Sequence, residues 1–207
     1  MNSVSPQYGY FRRARFVMSA PNLTDLPTDQ GVEIAVAGRS NAGKSSVLNA
    51  LCDQRALART SRTPGRTQHI VVFDLDADRR LLDLPGFGYA QVGRAVREQW
   101  AQTLPDLLQF RRALAGLVIV ADARAPLKAE EQSLLSWCSG AALPVRLALN
   151  KCDKLTRQEG VQALRGVQQI LITLGLKATD AMLISAESKQ GIDELRGWLH
   201  AGFTAGA

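Results

Sequence analysis

Short, nearly continuous apolar runs recur along this chain near residues 32–37, 69–75, 79–83, 116–121, 144–149 and 181–184, and turn-forming residues flank most of them. Runs of that length and setting read as strands. Between them, apolar residues fall at helical spacing over 44–52, 94–110, 129–138, 157–174 and 191–201. Strands alternating with helices predict an α/β domain, with a mostly parallel central sheet and helices on both faces. In such a fold ligands gather at the carboxyl ends of the strands. The pattern assigns residues 31–207 to that domain. Residues 1–30, with Arg12, Arg13 and Arg15, form a basic segment that packs on it or leads into it. There is no internal repeat or low-complexity tract.

The first strand runs into Gly38-Arg39-Ser40-Asn41-Ala42-Gly43-Lys44-Ser45, a complete G-x-x-x-x-G-K-[ST] loop followed by a helical pattern. Strand, loop and helix in that order are the context this phosphate-binding motif requires. Its glycines let successive backbone N–H groups turn inward on a phosphate, and the helix N-terminus adds positive potential. Lys44 reaches the β- and γ-phosphates and the Ser45 hydroxyl suits Mg²⁺. A Gly-rich turn without a ligand is the plain alternative, and the context argues against it.

The base is addressed further along. Leu147-Ala148-Leu149 leads into Asn150-Lys151-Cys152-Asp153, an N-K-x-D pattern at a strand end. The Asp153 carboxylate can accept from N1–H and the N2 amine of guanine, whereas adenine has neither donor. A site built to hydrogen-bond such groups rejects an analogue lacking them by about 10⁴-fold. The Lys151 stem can lie on the base face, and Asn150 can tie this loop to the phosphate loop. Alone the pattern would be a solvated turn; downstream of a phosphate loop it reads as a base site. After the 181–184 run, Ser185-Ala186-Glu187 offers backbone N–H groups to guanine O6, the least specific of these signals.

Asp83-Leu84-Pro85-Gly86 closes another strand, where Asp83 can hold a magnesium shell through water and the Gly86 N–H can meet a γ-phosphate. Between the phosphate loop and this motif lies the polar stretch from Thr60 to His69. A threonine hydroxyl there could complete the Mg²⁺ shell only with a γ-phosphate present, which would make the stretch a switch. Thr60, Thr63 and Thr67 all qualify on chemistry.

The ordered set GRSNAGKS, TPGRTQ, DLPGFGYA, NKCD and SAE resembles the translation-factor-related GTPases, and more narrowly the EngB (YihA/YsxC) family of bacterial GTPases implicated in large-subunit assembly. The similarity spans Phe16 to Gly191. It implies a P-loop GTPase domain, GTP or GDP as ligand, Mg²⁺ as cofactor, and Thr67 as the switch threonine within Gly65, Arg66, Thr67, Gln68 and His69. It also implies a role for Asn41, whose carbonyl could hold K⁺ beside the phosphates; a local backbone hydrogen bond is the alternative. The chain departs from its relatives at Asn150, where Thr is common, and at Ala125, where His is common. Phe87 stands where many GTPases carry a water-orienting Gln, which implies slow intrinsic turnover.

Charge and cysteine content extend this picture. A formal charge of +6 favours a polyanionic partner. Arg62, Arg66, Arg94, Arg97, Arg111 and Arg112 cluster near the two switch stretches, where rRNA phosphate could meet them in one nucleotide state. Cys52, Cys138 and Cys152 have neither disulfide nor metal spacing, which fits free thiols in a reducing cytoplasm. No apolar run nears the ~20 residues that span a bilayer, and no h-region follows the N-terminal arginines. The expectation is a cytoplasmic monomer whose partner is the large ribosomal subunit or its precursor, without DNA or membrane. A regulatory GTPase with a protein effector is the alternative. A basic RNA-binding module with a merely structural nucleotide site fits poorly with intact Lys44, Ser45, Asp83 and Asp153.

Overall fold

A computed structural model of the chain describes residues 6–58, 69–86, 104–125, 127–177 and 180–206. Its strands are β1 (Arg15–Ala20), β2 (Val32–Gly38), β3 (Ile70–Asp74), β4 (Arg79–Asp83), β5 (Leu114–Asp122), β6 (Val145–Asn150) and β7 (Ala181–Leu183). The helices are α1 (Lys44–Cys52), a helical stretch over 104–110 (α2), α3 (Ala129–Gly140), α4 (Arg157–Thr173) and α5 (Ile192–Ala205). The strands form a 7-stranded sheet in the order β1-β3-β4-β2-β5-β6-β7. From β4 to β7 every pairing is parallel, while β1 with β3 and β3 with β4 are antiparallel.

Every residue of β2 is buried, and apart from Glu33 the strand is apolar on both faces, as a strand covered on both sides requires. Ile34 and Val36 face one cluster with Val118, Val120, Leu48, Leu51, Leu195 and Phe203. Ala35 and Ala37 face the other with Leu117, Ile119, Leu82, Leu135 and Leu171. The period of two thus divides each central strand between the α1/α5 layer and the α2/α3/α4 layer.

The N-terminal segment supplies more than the sequence indicated. Phe11 is fully buried and stacks on Tyr10, which meets Phe203 of α5 edge to face. Arg15–Ala20 then adds an edge strand that the apolar pattern did not mark. Its outer residues are mostly exposed and its register shifts between Phe16 and Met18, so it shows neither a continuous apolar run nor a clean alternation.

One buried charge lies at the opposite end of the sheet from the motifs. Glu33 is wholly buried, and Arg111 grips both its oxygens at 2.7 Å, with Arg80 at 3.3 Å from one of them. Arg111 also donates to Pro27 O, so this cluster fastens the chain after α2 to the sheet and to the segment before β2.

Candidate functional site

Parallel strands β4, β2, β5, β6 and β7 all point their carboxyl ends the same way, and the motifs follow those ends. The phosphate loop leaves β2 at Gly38, whose neighbour across the ladder is Val120. A Cβ on Gly38 would sit 2.5 Å from the Val120 carbonyl oxygen, so only glycine lets the chain turn there. Asn41 and Gly43 have φ of 68° and 90°, left-handed conformations that curl the loop before α1 begins.

Lys44 lies at the first turn of α1, and its ammonium contacts Asp83 at the end of β4. Both side chains are nearly inaccessible. Burial pushes the Asp83 carboxyl up from its ordinary value, against the opposing pull of Lys44. Added positive charge beside this carboxylate is therefore favourable. With the Ser45 hydroxyl one residue further along α1, the donors are hard oxygens of the kind that suit Mg²⁺. Leu84 N donates to Val36 O and carries the chain to Gly86. A Cβ on Gly86 would lie 3.2 Å from Ser40 Oγ, so the D-x-P-G turn rests against the phosphate loop.

Asn150 joins the other two motifs. Its Nδ2 donates to Ala42 O at 2.9 Å, and its Oδ1 accepts from Ala186 N at 3.0 Å. It is 2% exposed. Gly43 packs so closely that a Cβ there would stand 2.3 Å from Asn150 Nδ2. Lys151 is left-handed at φ 68° and donates from Nζ to Asn41 O at 2.6 Å and to Asp122 Oδ2 at 2.8 Å. Cys152 N bonds Ile184 O, aligning the base loop with the end of β7.

Asp153 accepts from Ser185 Oγ at 2.6 Å and pairs with Lys154 at 3.0 Å. The Ser185 bond, then that of Lys154, holds its carboxyl below the ordinary value, so it is an anion and an acceptor at neutral pH. Ser185 N donates to Gln190 O and Ala186 N to Asn150 Oδ1, so those two amides are engaged within the protein.

Gly38, Arg39, Ser40, Asn41, Ala42, Gly43, Lys44, Ser45, Asp83, Leu84, Pro85, Gly86, Asn150, Lys151, Cys152, Asp153, Ser185, Ala186 and Glu187 thus lie at strand ends, on loops or at helix starts at one end of the sheet. His69 precedes β3, with Nδ1 3.2 Å from Ser19 Oγ of β1. Gly65, Arg66, Thr67, Gln68 and Phe87 lie outside the described residues, as do Arg62, Arg94 and Arg97. Arg111 leaves the basic surface set, because its side chain is only 10% exposed and bound to Glu33. Sequence reasoning missed Asp122, which also takes both Arg124 Nε and NH2. An acidic residue closing an apolar strand, just as Asp83 closes β4, was the available signal.

Comparison with known proteins meets this geometry directly. Residues 33–151 match the family described as 50S ribosome-binding GTPase. The chain is 50% identical over 169 residues to a probable GTP-binding protein EngB of Shewanella sp. (strain ANA-3), covering 80% of this chain and 77% of that one. The same figures hold for the EngB of Shewanella baltica (strain OS185). The chain belongs to the EngB family of GTPases. It therefore binds guanine nucleotide and hydrolyses GTP to GDP and phosphate. The fold of the family is also found in a crystal structure of a probable GTP-binding protein EngB. That structure superposes with TM-score 0.68 at 19% identity, covering 84% of this chain and 100% of the other. Aquifex aeolicus Era, bound to GDP and an aluminium fluoride, gives TM-score 0.64 at 19% identity over 83% and 56%. Among the described residues, no helix is long and apolar enough to cross a membrane.

Proposed function

We propose that this GTPase is a slow molecular switch that docks on the large ribosomal subunit or its precursor while GTP is bound. The observation that carries the reading is the Asn150 strut, which joins the phosphate loop, the N-K-C-D loop and the Ser185–Glu187 loop into one pre-formed cradle. In that cradle Asp153 accepts from the guanine edge and the Lys151 stem covers the base. The inward-facing loop amides from Gly38 to Ser45 bind the phosphates, and Lys44 turns from Asp83 to the β–γ bridge. Ser45 and Thr67, with Asp83 through water, would hold Mg²⁺, which supplies charge neutralisation on the phosphates.

Phe87 offers no hydrogen bond to an attacking water, so intrinsic hydrolysis is slow and the missing group comes from elsewhere. Asn41 would supply part of it through a side-chain carbonyl able to hold K⁺, whose charge would add to that of Lys44 on the phosphates. Faster hydrolysis in K⁺ than in Na⁺ at matched ionic strength, with the difference lost in Asn41→Ala, is the expected outcome; equal rates in both salts would retire that role.

The family's description as 50S ribosome-binding, together with the net charge of +6, supports rRNA-bearing large subunit as the partner. Thr67 and the Gly86 amide stand at the motif positions that can sense a γ-phosphate, which would make attachment through Arg62 and Arg66 depend on the nucleotide. Co-sedimentation with purified subunits at about 0.15 M salt is expected with a non-hydrolysable GTP analogue and not with GDP. Equal recovery in GTP-analogue, GDP and nucleotide-free samples would mean simple electrostatic adhesion and would favour a protein effector instead.

A further inference from the structure

We propose that Asp122 is a positioning residue of the guanine site, acting through Lys151. The inference rests on the reading of Asn150–Asp153 as the base-binding loop. Asp122 is the last residue of β5, and the ladder sets it directly opposite Asn150. The Ala123 N–H bond to Asn150 O at 2.8 Å extends that pairing past the strand end. The left-handed backbone at Lys151 then sends its side chain back toward the phosphate loop. There the ammonium is held from two sides, by Asn41 O and by Asp122 Oδ2.

The Asp122 carboxylate is itself fixed. Arg124 donates to it from its backbone N at 3.0 Å, from Nε at 2.9 Å and from NH2 at 2.7 Å. Burial alone would raise this carboxyl, but the bonds from Arg124 and Lys151 outweigh burial and hold it well below the ordinary carboxylate range. It is therefore ionised whenever the enzyme is folded near neutral pH. A chain of contacts runs from Arg124 through Asp122 and Lys151 to the phosphate-loop carbonyl.

The consequence is for the lysine stem. A free lysine carries among the largest rotamer entropies of any side chain, and ordering it on ligand binding weakens affinity. Here both ends of the stem are fixed before nucleotide arrives, the Cα by the base loop and the Nζ by Asn41 O and Asp122. The stem is thus a preformed plate for the base. Remove the carboxylate and Asn41 O alone must hold the ammonium, so the plate loosens and nucleotide leaves faster.

The test is the dissociation rate of a fluorescent N-methylanthraniloyl-GDP in a double-mutant cycle on the full chain. Asp122→Ala is expected to speed dissociation on the order of tenfold, the equivalent of one net charge-assisted hydrogen bond. Asp122→Asn keeps an acceptor for Lys151 and should recover most of that loss, staying within about threefold of the parent. Lys151→Met should speed dissociation by itself, and adding Asp122→Ala or Asp122→Asn to it should change nothing further. If Lys151→Met leaves dissociation at the parent rate, the base-loop reading fails and the inference with it. If Lys151→Met matters but neither Asp122 variant does, or if their effects persist in the Lys151→Met background, Asp122 does not act through Lys151. Should Asp122→Ala not fold, Asp122→Ser, too short to reach the Lys151 ammonium, takes its place in the cycle with the same expected outcome.

Discussion

Replacing Asn150 by alanine should loosen the cradle and the fold together. The side chain is nearly inaccessible and makes one hydrogen bond to each neighbouring loop, to Ala42 O and from Ala186 N. Each neutral bond contributes about 0.5–1.5 kcal/mol net, and both partners are left without a protein group to meet. The expected loss is about 2–3 kcal/mol, toward the upper part of that sum because the site is buried. Urea unfolding of the nucleotide-free protein measures that loss, and titration with fluorescent GDP measures its effect on the cradle. A lower unfolding midpoint should come with GDP affinity weakened by about tenfold or more, the factor that ~1.4 kcal/mol represents. Asn150→Thr retains one hydroxyl and should lose about half as much. A variant with reduced stability but parental GDP affinity would make Asn150 a fold strut only. Parental values in both assays would refute the bonding pattern.

Arg111→Ala should destabilise the protein by about 3 kcal/mol, because it strips the bidentate partner from a buried carboxylate that keeps, among the described residues, the longer contact to Arg80. A chemical-denaturation loss well under about 1 kcal/mol would show Glu33 to be otherwise compensated. Asp53, at the end of α1, is held below its ordinary 3.8 by a hydrogen bond from Lys189, with help from Arg12. A depressed carboxyl stabilises above the unfolded value and loses that contribution as pH falls through the folded one. Asp53→Asn should thus cost under about 1 kcal/mol at pH 7, since these partners are exposed, and the difference should vanish as pH falls below 3.8. A gap that persists in acid would place its origin elsewhere.

Much of this was legible because a parallel strand buried on both faces writes itself as an apolar run, and the nucleotide motifs stand at the ends of such runs. Lys44–Cys52 emerged with the bounds expected, and β2 and β6 within one residue. The tie from Asn150 to the phosphate loop was also readable, since its chemistry is local to one known pattern. What stayed hidden depended on distant partners. β1 is an exposed edge strand whose pairing with β3 is set by residues fifty or more positions away. Arg111 counted with the basic set near the switch stretches until the fold brought Glu33 beneath it, 78 residues earlier in the chain. Asp122 could be marked only as an acid closing an apolar strand; its partner stayed hidden because Lys151 reaches it only once the ladder pairs β5 with β6.

The most direct test of the guanine site is the nucleotide preference of Asp153→Asn. Asp153 stands at the base loop as an anion braced by Ser185 and Lys154. Its amide replacement presents a donor where guanine N1 also donates, while xanthine offers a carbonyl at position 2. Competition between GDP and XDP for the variant should show GDP affinity sharply reduced and XDP affinity increased relative to the parent. GDP bound as tightly as by the parent, with no gain for XDP, would remove Asp153 from the base site and contradict the arrangement of the cradle.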